Sequence, residues 1–293
     1  MTQLIQTLVL GLLLGGVFAL LASGLTLIFG VMDVINVAQG ALIILSAFMT
    51  WAAWNELGID PLLGVLITTP AMFLIGYGLY MSTLRWIQGK PPSTSVLLTF
   101  GLALVIEGVI GMVWTAKLHR ATPSYFDESY RIGDIYLRKG QVYGCAIAIG
   151  VLAVLYVLLK TTWLGRAIRA VSANMSSAQL VGVNPRNVAA LTFAVGVATA
   201  GAGGSIASVL YPFLPASHYQ WISRLLGIIV LGGMGSLPGA IVGALMLGVA
   251  ETMTQIYVSP KWATMVPWAV ILIVLLVRPQ GLMGQKLRED VAL

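Results

Sequence analysis

The sequence predicts an all-α fold: a polytopic membrane helix bundle of about eight hydrophobic segments, two of them glycine-rich and broken or re-entrant. Three observations carry this. Apolar residues make up 58% of the 293 residues and charged residues only 9%, with a mean hydropathy of +0.93. That is too little charge to cover a soluble domain of this length. The longer apolar runs last about 17 to 26 residues, enough for a helix to cross a ~30 Å hydrocarbon core. They also lack the in–out alternation of barrel strands. Residues 1–293 read as a single transmembrane domain.

The first run, residues 4–29, has no basic flank and is too long for the apolar core of a cleaved leader, so it reads as a retained span. Asp33, Asn36 and Gln39 interrupt the chain next. The run 41–54 is short for a span, which would let the interruption lie at membrane depth. Residues 62–84 and 96–116 are clear spans, the second containing Glu107, and Arg85, Lys90 and Pro91-Pro92 lie between them. Residues 117–140 form the longest polar segment. A span over 141–159 opens with Cys145, the single cysteine, which therefore has no disulfide partner in the chain and reads as a small packing residue. The basic loop 160–187 leads into a glycine- and alanine-rich span at 188–210 and a loop at 211–224. Residues 225–250 are apolar but broken by "GGMGSLPG" at 232–239. The last run, 265–277, precedes a polar tail.

Placing 160–187 in the cytoplasm also puts Arg85 and Lys90 inside, the acidic turn at 55–60 outside and the N-terminus outside. The net charge of +6 then belongs to loops facing anionic lipid rather than nucleic acid, which would need a basic stripe on a wet face.

The two breaks look alike. "GVMDVINVAQGALIILSAF" from Gly30 and "GGMGSLPGAIVGALMLGVA" from Gly232 each hold Gly-x-Met, an irregular middle and Gly-Ala-Leu. Backbone freed by a break within the membrane must be buried in protein or line a wet cavity, and transporters build their path from such breaks. Asp33, Asn36, Gln39, Glu107 and Glu251 are accordingly the candidate path residues; a plain surface turn is the alternative at the first break, and an interfacial position for Glu251. Gly235, Gly239 and Gly243 form a small-residue ladder, and Gly11 and Gly15 a shorter one, suited to close helix packing within the bundle or against a partner.

Enzyme chemistry has no constellation here. His119 and His218 stand far apart without metal-ligand partners, so no metal or cofactor is expected. The only Gly-Lys pair, Gly89-Lys90, runs into proline, so there is no phosphate-binding loop for ATP. No span carries an arginine ladder of the voltage-sensing kind.

Within the basic loop, Asn174 can cap a two-turn helix over 175–181, with Gly182 past its end and Pro185 blocking continuation. Met175, Ala178 and Val181 share one face. So short a helix needs a surface to lie against, either lipid headgroups drawn by Arg166 and Arg169 or a groove on another protein.

"GRAIRAVSANMSSAQLVGVN" resembles the cytoplasmic loop of permease subunits in bacterial ABC importers. "GLTLIFGVMDVINVAQGALIILSAF", "LGGMGSLPGAIVGALMLGVAE" and "RPQGLMG" resemble the branched-chain amino acid permease family, in its shorter branch. The resemblance covers nearly the whole chain. It implies an importer in the bacterial inner membrane with a second related permease subunit, two ABC ATPase subunits and an extracytoplasmic solute-binding protein. It further implies that Gly165, Arg166, Arg169, Ala170, Asn174, Ala178 and Gly182 belong to the loop that couples to the ATPase. Asn174 stands where an acidic residue is usual and Gln39 where many members have histidine. The substrate class implied is branched-chain or other hydrophobic amino acids, with urea or short amides as a close variant. The alternative from another class is an ion-coupled secondary transporter using Glu107 or Glu251.

Overall fold

A computed structural model of the chain describes residues 2–87, 90–126 and 128–284. Gly89, and the tail residues 285–293, lie outside the described residues. The helices are α1 (Thr2–Met32), α2 (Gln39–Leu57), α3 (Val65–Ser82), α4 (Pro92–Trp114), α5 (Lys139–Thr161), α6 (Trp163–Ala173), α7 (Met175–Leu180), α8 (Pro185–Leu210), α9 (His218–Gly232), α10 (Leu237–Tyr257), α11 (Pro260–Ala263) and α12 (Val266–Val277). A two-stranded antiparallel hairpin, β1 (Ser129–Ile132) and β2 (Ile135–Arg138), stands between α4 and α5. Among the described residues seven helices, namely α1 to α5, α8 and α10, are long and apolar enough to span a membrane, and α12 is a shorter apolar helix.

The expected segments recur, with two differences. The short run at 41–54 becomes a 19-residue helix because Gln39 and Gly40 begin it and Asn55, Glu56 and Leu57 extend it. Gly58 then ends it in the left-handed conformation, its N–H returning to the Ala53 and Trp54 carbonyls. The run at 225–250 becomes two helices, and α9 starts at His218, so the second half of the expected 211–224 loop is helical, with His218 and Trp221 to Arg224 buried and Tyr219 and Gln220 exposed. The second helix start is built locally: Ser236 accepts a hydrogen bond from the Gly239 N–H at 3.2 Å, and Pro238 sits in the first turn.

The most enclosed helix is α8, buried almost continuously from Val188 to Val209. Its glycines and alanines explain how α1, α2 and α3 reach it so closely. A Cβ on Gly196 would stand 2.8 Å from the Gly24 carbonyl oxygen, and one on Gly204 2.7 Å from Ser46 Cβ. Ser46 Oγ donates to the Gly201 carbonyl at 2.6 Å, and the Ser205 hydroxyl lies 2.7 Å from both Thr50 and Thr68. These hydroxyls tie three helices together where no water competes.

Both glycine ladders are used inside the bundle. A Cβ on Gly11 would lie 2.7 Å from Val249 Cα, and one on Gly15 2.7 Å from Leu245 Cα, so α1 and α10 meet backbone to backbone. A Cβ on Gly243 would stand 2.7 Å from the Ile228 carbonyl oxygen of α9, and one on Gly239 would run into the Gly232 carbonyl. Cys145 is a buried free thiol whose sulfur would meet a Cβ on Gly16 at 2.7 Å.

Gly248→Leu should destabilise the protein by about 1–3 kcal/mol through overpacking of the α1–α10 seam, because a Cβ there would stand 2.6 Å from the Gly11 carbonyl oxygen. Gly150→Leu, at a position with nothing within 4 Å, should leave stability unchanged. Thermal unfolding of the two detergent-solubilised variants makes the comparison.

Candidate functional site

One end of the bundle gathers the α1–α2 break, the α3–α4 turn and the loop between α5 and α8. They line a cavity of about 900 Å³ that includes Gly30, Asp33, Arg85, Lys90, Asn174 and Arg186. The α9–α10 turn joins the same end, since a Cβ on Gly30 would meet the Gly235 carbonyl oxygen at 3.3 Å. The two look-alike breaks are thus neighbours. The tail closes this end: the Leu282 and Met283 N–H groups donate to the Leu231 and Gly232 carbonyls at 2.8 and 2.9 Å.

The opposite end carries the hairpin and an isolated antiparallel bridge between His119 and Phe213. Tyr125 donates to Asp60 Oδ1 at 3.0 Å there, and burial followed by the Asp60 charge pushes the Tyr125 phenol well above its ordinary pKa.

The loop is fastened on its inward side. Thr162 caps α6 through the Gly165 N–H at 3.2 Å. Arg166 Nη1 donates to the Thr161 carbonyl at 3.0 Å and Arg169 Nη1 to the Leu159 carbonyl, so both cations cover the open carbonyl end of α5. Gly165 is buried against Leu159 with no room for a side chain. Ala167, Ile168 and Val171 make α6 amphipathic and pack with Leu27, Leu155 and Val195, while Ala170 is half-buried beside them.

The Asn174 side chain caps α7, accepting from the Ser177 N–H at 2.9 Å. Gly182, at φ +85°, ends that segment in the left-handed region. Of the expected apolar face only Ala178 is buried; Met175 and Val181 are exposed, Val181 at 77%, and so is Leu180 outside that face, at 89%. The helix therefore leans on the bundle through alanine and turns its larger side chains outward.

Next, the first break. Asp33 takes φ +52° and is exposed at the cavity, whereas Asn36 and Gln39 are fully buried. Asn36 Nδ2 donates to Gln39 Oε1 at 3.0 Å, and Gln39 Nε2 donates to the Gly196 carbonyl in the middle of α8 at 2.9 Å. Thr99 serves the unwound backbone on both sides: it accepts from the Val37 N–H at 3.1 Å and lies 3.2 Å from the Ile35 carbonyl. The chain comes away from helical geometry here with the Val37 N–H and the Ile35 carbonyl partnered, while Asn36 Oδ1 is buried without a partner among the described residues.

Glu107 and Glu251 part company. Glu251 is 6% exposed and accepts from Arg224 Nε on both carboxylate oxygens, at 3.0 and 3.2 Å. The guanidinium lies over the Trp221, Tyr211 and Phe18 rings at 5.2, 5.7 and 5.9 Å. Glu107, on α4, accepts from His218 Nε2–H at 3.0 Å at the first residue of α9. The Gly40 position at the start of α2 abuts the His218 carbonyl, so this pair is adjacent to the Asn36–Gln39 network. Asp33 is separate, at the cavity.

His218, Arg224 and Thr99 were not singled out from the sequence. The signal for Arg224 was available as a lone cation opening an apolar run, "WISRLLGIIVLGG". Among the described residues no cluster of histidine, cysteine and carboxylates could hold a metal ion.

Residues 7–275 match the family described as branched-chain amino acid transport system / permease component. The chain belongs to that family. The permease is 28% identical to the high-affinity branched-chain amino acid transport system permease protein LivH of Salmonella typhimurium over 96% of each chain. It is 26% identical to the corresponding protein BraD of Pseudomonas aeruginosa over 98% of each. Its fold resembles a chain of PsaBC from Streptococcus pneumoniae in complex with Fab, with a TM-score of 0.53 at 10% identity, covering 92% of this chain and 91% of that one. Family and helices together make the permease a multi-pass inner-membrane transport subunit rather than an enzyme.

Arg224→Met or Glu251→Leu alone should destabilise the permease by about 3–5 kcal/mol, because each strands a buried charge. The double substitution should recover most of that loss. Thermal midpoints of the three variants against the parent give the answer.

Proposed function

We propose that the permease is the membrane subunit of an ATP-driven importer of branched-chain or related hydrophobic amino acids. On this reading it pairs with a second, related permease. Two ABC ATPases bind its basic end on the cytoplasmic side, and an extracytoplasmic binding protein delivers substrate at the hairpin end. The names of LivH and BraD support the substrate class.

The observation that carries the reading is the asymmetry of α7. Its inward side is fixed by the Asn174 cap, by buried Ala178 and by the Val183 N–H bonded to the Ala178 carbonyl at 3.0 Å. Its outward side presents Leu180 and Val181, while Met175 lines the cavity. A helix of six residues has no stability of its own, so an exposed apolar side held this firmly suits a groove on a partner. ATPase closure would then move a rigid loop and not a floppy one. Gly165, Arg166, Arg169 and Ala170 brace the loop on the bundle, and Gly182 lets it return into α8.

The path in this reading runs beside Glu107, the Asn36–Gln39 network and the cavity at Asp33. The paired and enclosed Glu251 holds α9 to α10 along that path and gives no support to ion coupling through its carboxylate.

Replacing residues 175–181 with a Gly-Ser linker should abolish substrate uptake while the protein still inserts and purifies. Uptake by inside-ATP-loaded vesicles containing all subunits is the measurement; retained transport, or transport by the chain alone on a proton gradient, would overturn the reading.

A further inference from the structure

Among the described residues two carboxylates, Glu107 and Glu251, lie well inside membrane-spanning helices, and only one is paired with an arginine or lysine. Glu251 has Arg224. Among the described residues the one polar group within hydrogen-bond distance of Glu107 is the His218 imidazole, and no arginine or lysine forms an ion pair with it. The Glu107 side chain is 26% exposed while that of His218 is 2% exposed, so the carboxylate is the part that shows at the surface of the bundle.

Its depth follows from the helix. Residue 107 of a helix running Pro92–Trp114 lies about 22 Å from one end and about 10 Å from the other at 1.5 Å per residue. Hydrocarbon cannot surround a carboxylate there; such a group faces a polar passage or another protein group. The surface beside it is uncovered within the chain: Gly101, Gly108 and Gly111 have nothing within 4 Å, and Tyr219 is 46% exposed. The Tyr219 ring lies 4.0 Å from the His218 ring at an interplanar angle of 33°, which puts an aromatic ring next to the carboxylate's holder.

Resting on the importer reading above, we propose that Glu107 is a specificity-determining residue of the passage, its carboxylate receiving the ammonium group of a zwitterionic amino acid. His218 positions it by fixing Oε2 and leaving Oε1 to the substrate. The exposed Tyr219 ring adds a face suited to a cation. Such a site favours a primary ammonium over neutral urea or a short amide, which brings no positive charge to offset the buried negative one. It thereby chooses between the two substrate classes that the sequence motifs left open.

The test uses the complete importer, reconstituted with its ATPases, second permease and binding protein, and labelled leucine as the probe. Glu107→Gln keeps the acceptor for His218 and removes the charge. It should lower kcat/KM for leucine by about tenfold or more, the worth of one charged hydrogen bond, with the thermal midpoint unchanged. Glu107→Asp should restore part of the loss, which a purely structural role would not predict.

A second measurement needs no variant. Carbodiimide modification of Glu107 in the wild-type complex, followed by peptide mass, should be slowed by leucine and unaffected by 4-methylpentanoate, which lacks the amine. A wild-type complex that imports no leucine would overturn the importer reading itself. Leucine import that survives Glu107→Gln, a loss matched by lower thermal stability, or a modification rate indifferent to leucine would overturn this inference alone.

Discussion

Hydrocarbon offers a broken helix no hydrogen bonds, and that constraint organises the permease. At both breaks a nearby group takes over freed backbone. Thr99 does so for Ile35 and Val37, and the tail does so for Leu231 and Gly232. Each repair draws distant parts of the chain together: α4 to the first break, the tail to the second. The functional geography follows from those repairs, because the same breaks that need partners also bring polar groups into the membrane.

The helices were legible because apolar length reports directly on membrane crossing. Residues 188–210 and 96–116 reappear as α8 and α4 with shifts of a few residues at most. The cap at Asn174 and the stop at Gly182 were legible for a different reason: both are local, depending on one side chain or one φ angle. Contacts between remote residues were not. Nothing in the spacing of Glu107 and His218, or of Arg224 and Glu251, says that they meet, since the α9 start looked like loop. The prolines at 212 and 215 and a histidine suggested solvent, while the fold turns that segment inward and buries His218. The amphipathic α6 was likewise hidden in a stretch that read simply as basic.

Loop and break are mechanically close. The N-terminus of α8 receives α7 through the Ala178 contact, and the middle of α8 holds Gln39 through the Gly196 carbonyl. Farther along, Gly201 and Ser205 hold Ser46 and Thr68. On the importer reading, a push on α7 enters the bundle along a single stiff helix. That helix already touches the unwound segment. No relay of separate side chains is needed, because a helix enclosed on nearly all sides moves as one body or not at all.

Two carboxylates show two ways of keeping charge in a membrane. Glu251 is closed off: a guanidinium meets both oxygens and three aromatic rings surround the cation, so nothing mobile can bind without displacing Arg224. Such a pair gives α9 and α10 a fixed register and little else. Glu107 is half closed. A single imidazole orients it, and its side chain stays 26% exposed. A protein that needed only stability there would replace both residues with leucine and lose nothing. An open, oriented carboxylate is a cost without return unless a cation arrives, and on the importer reading each substrate molecule carries one.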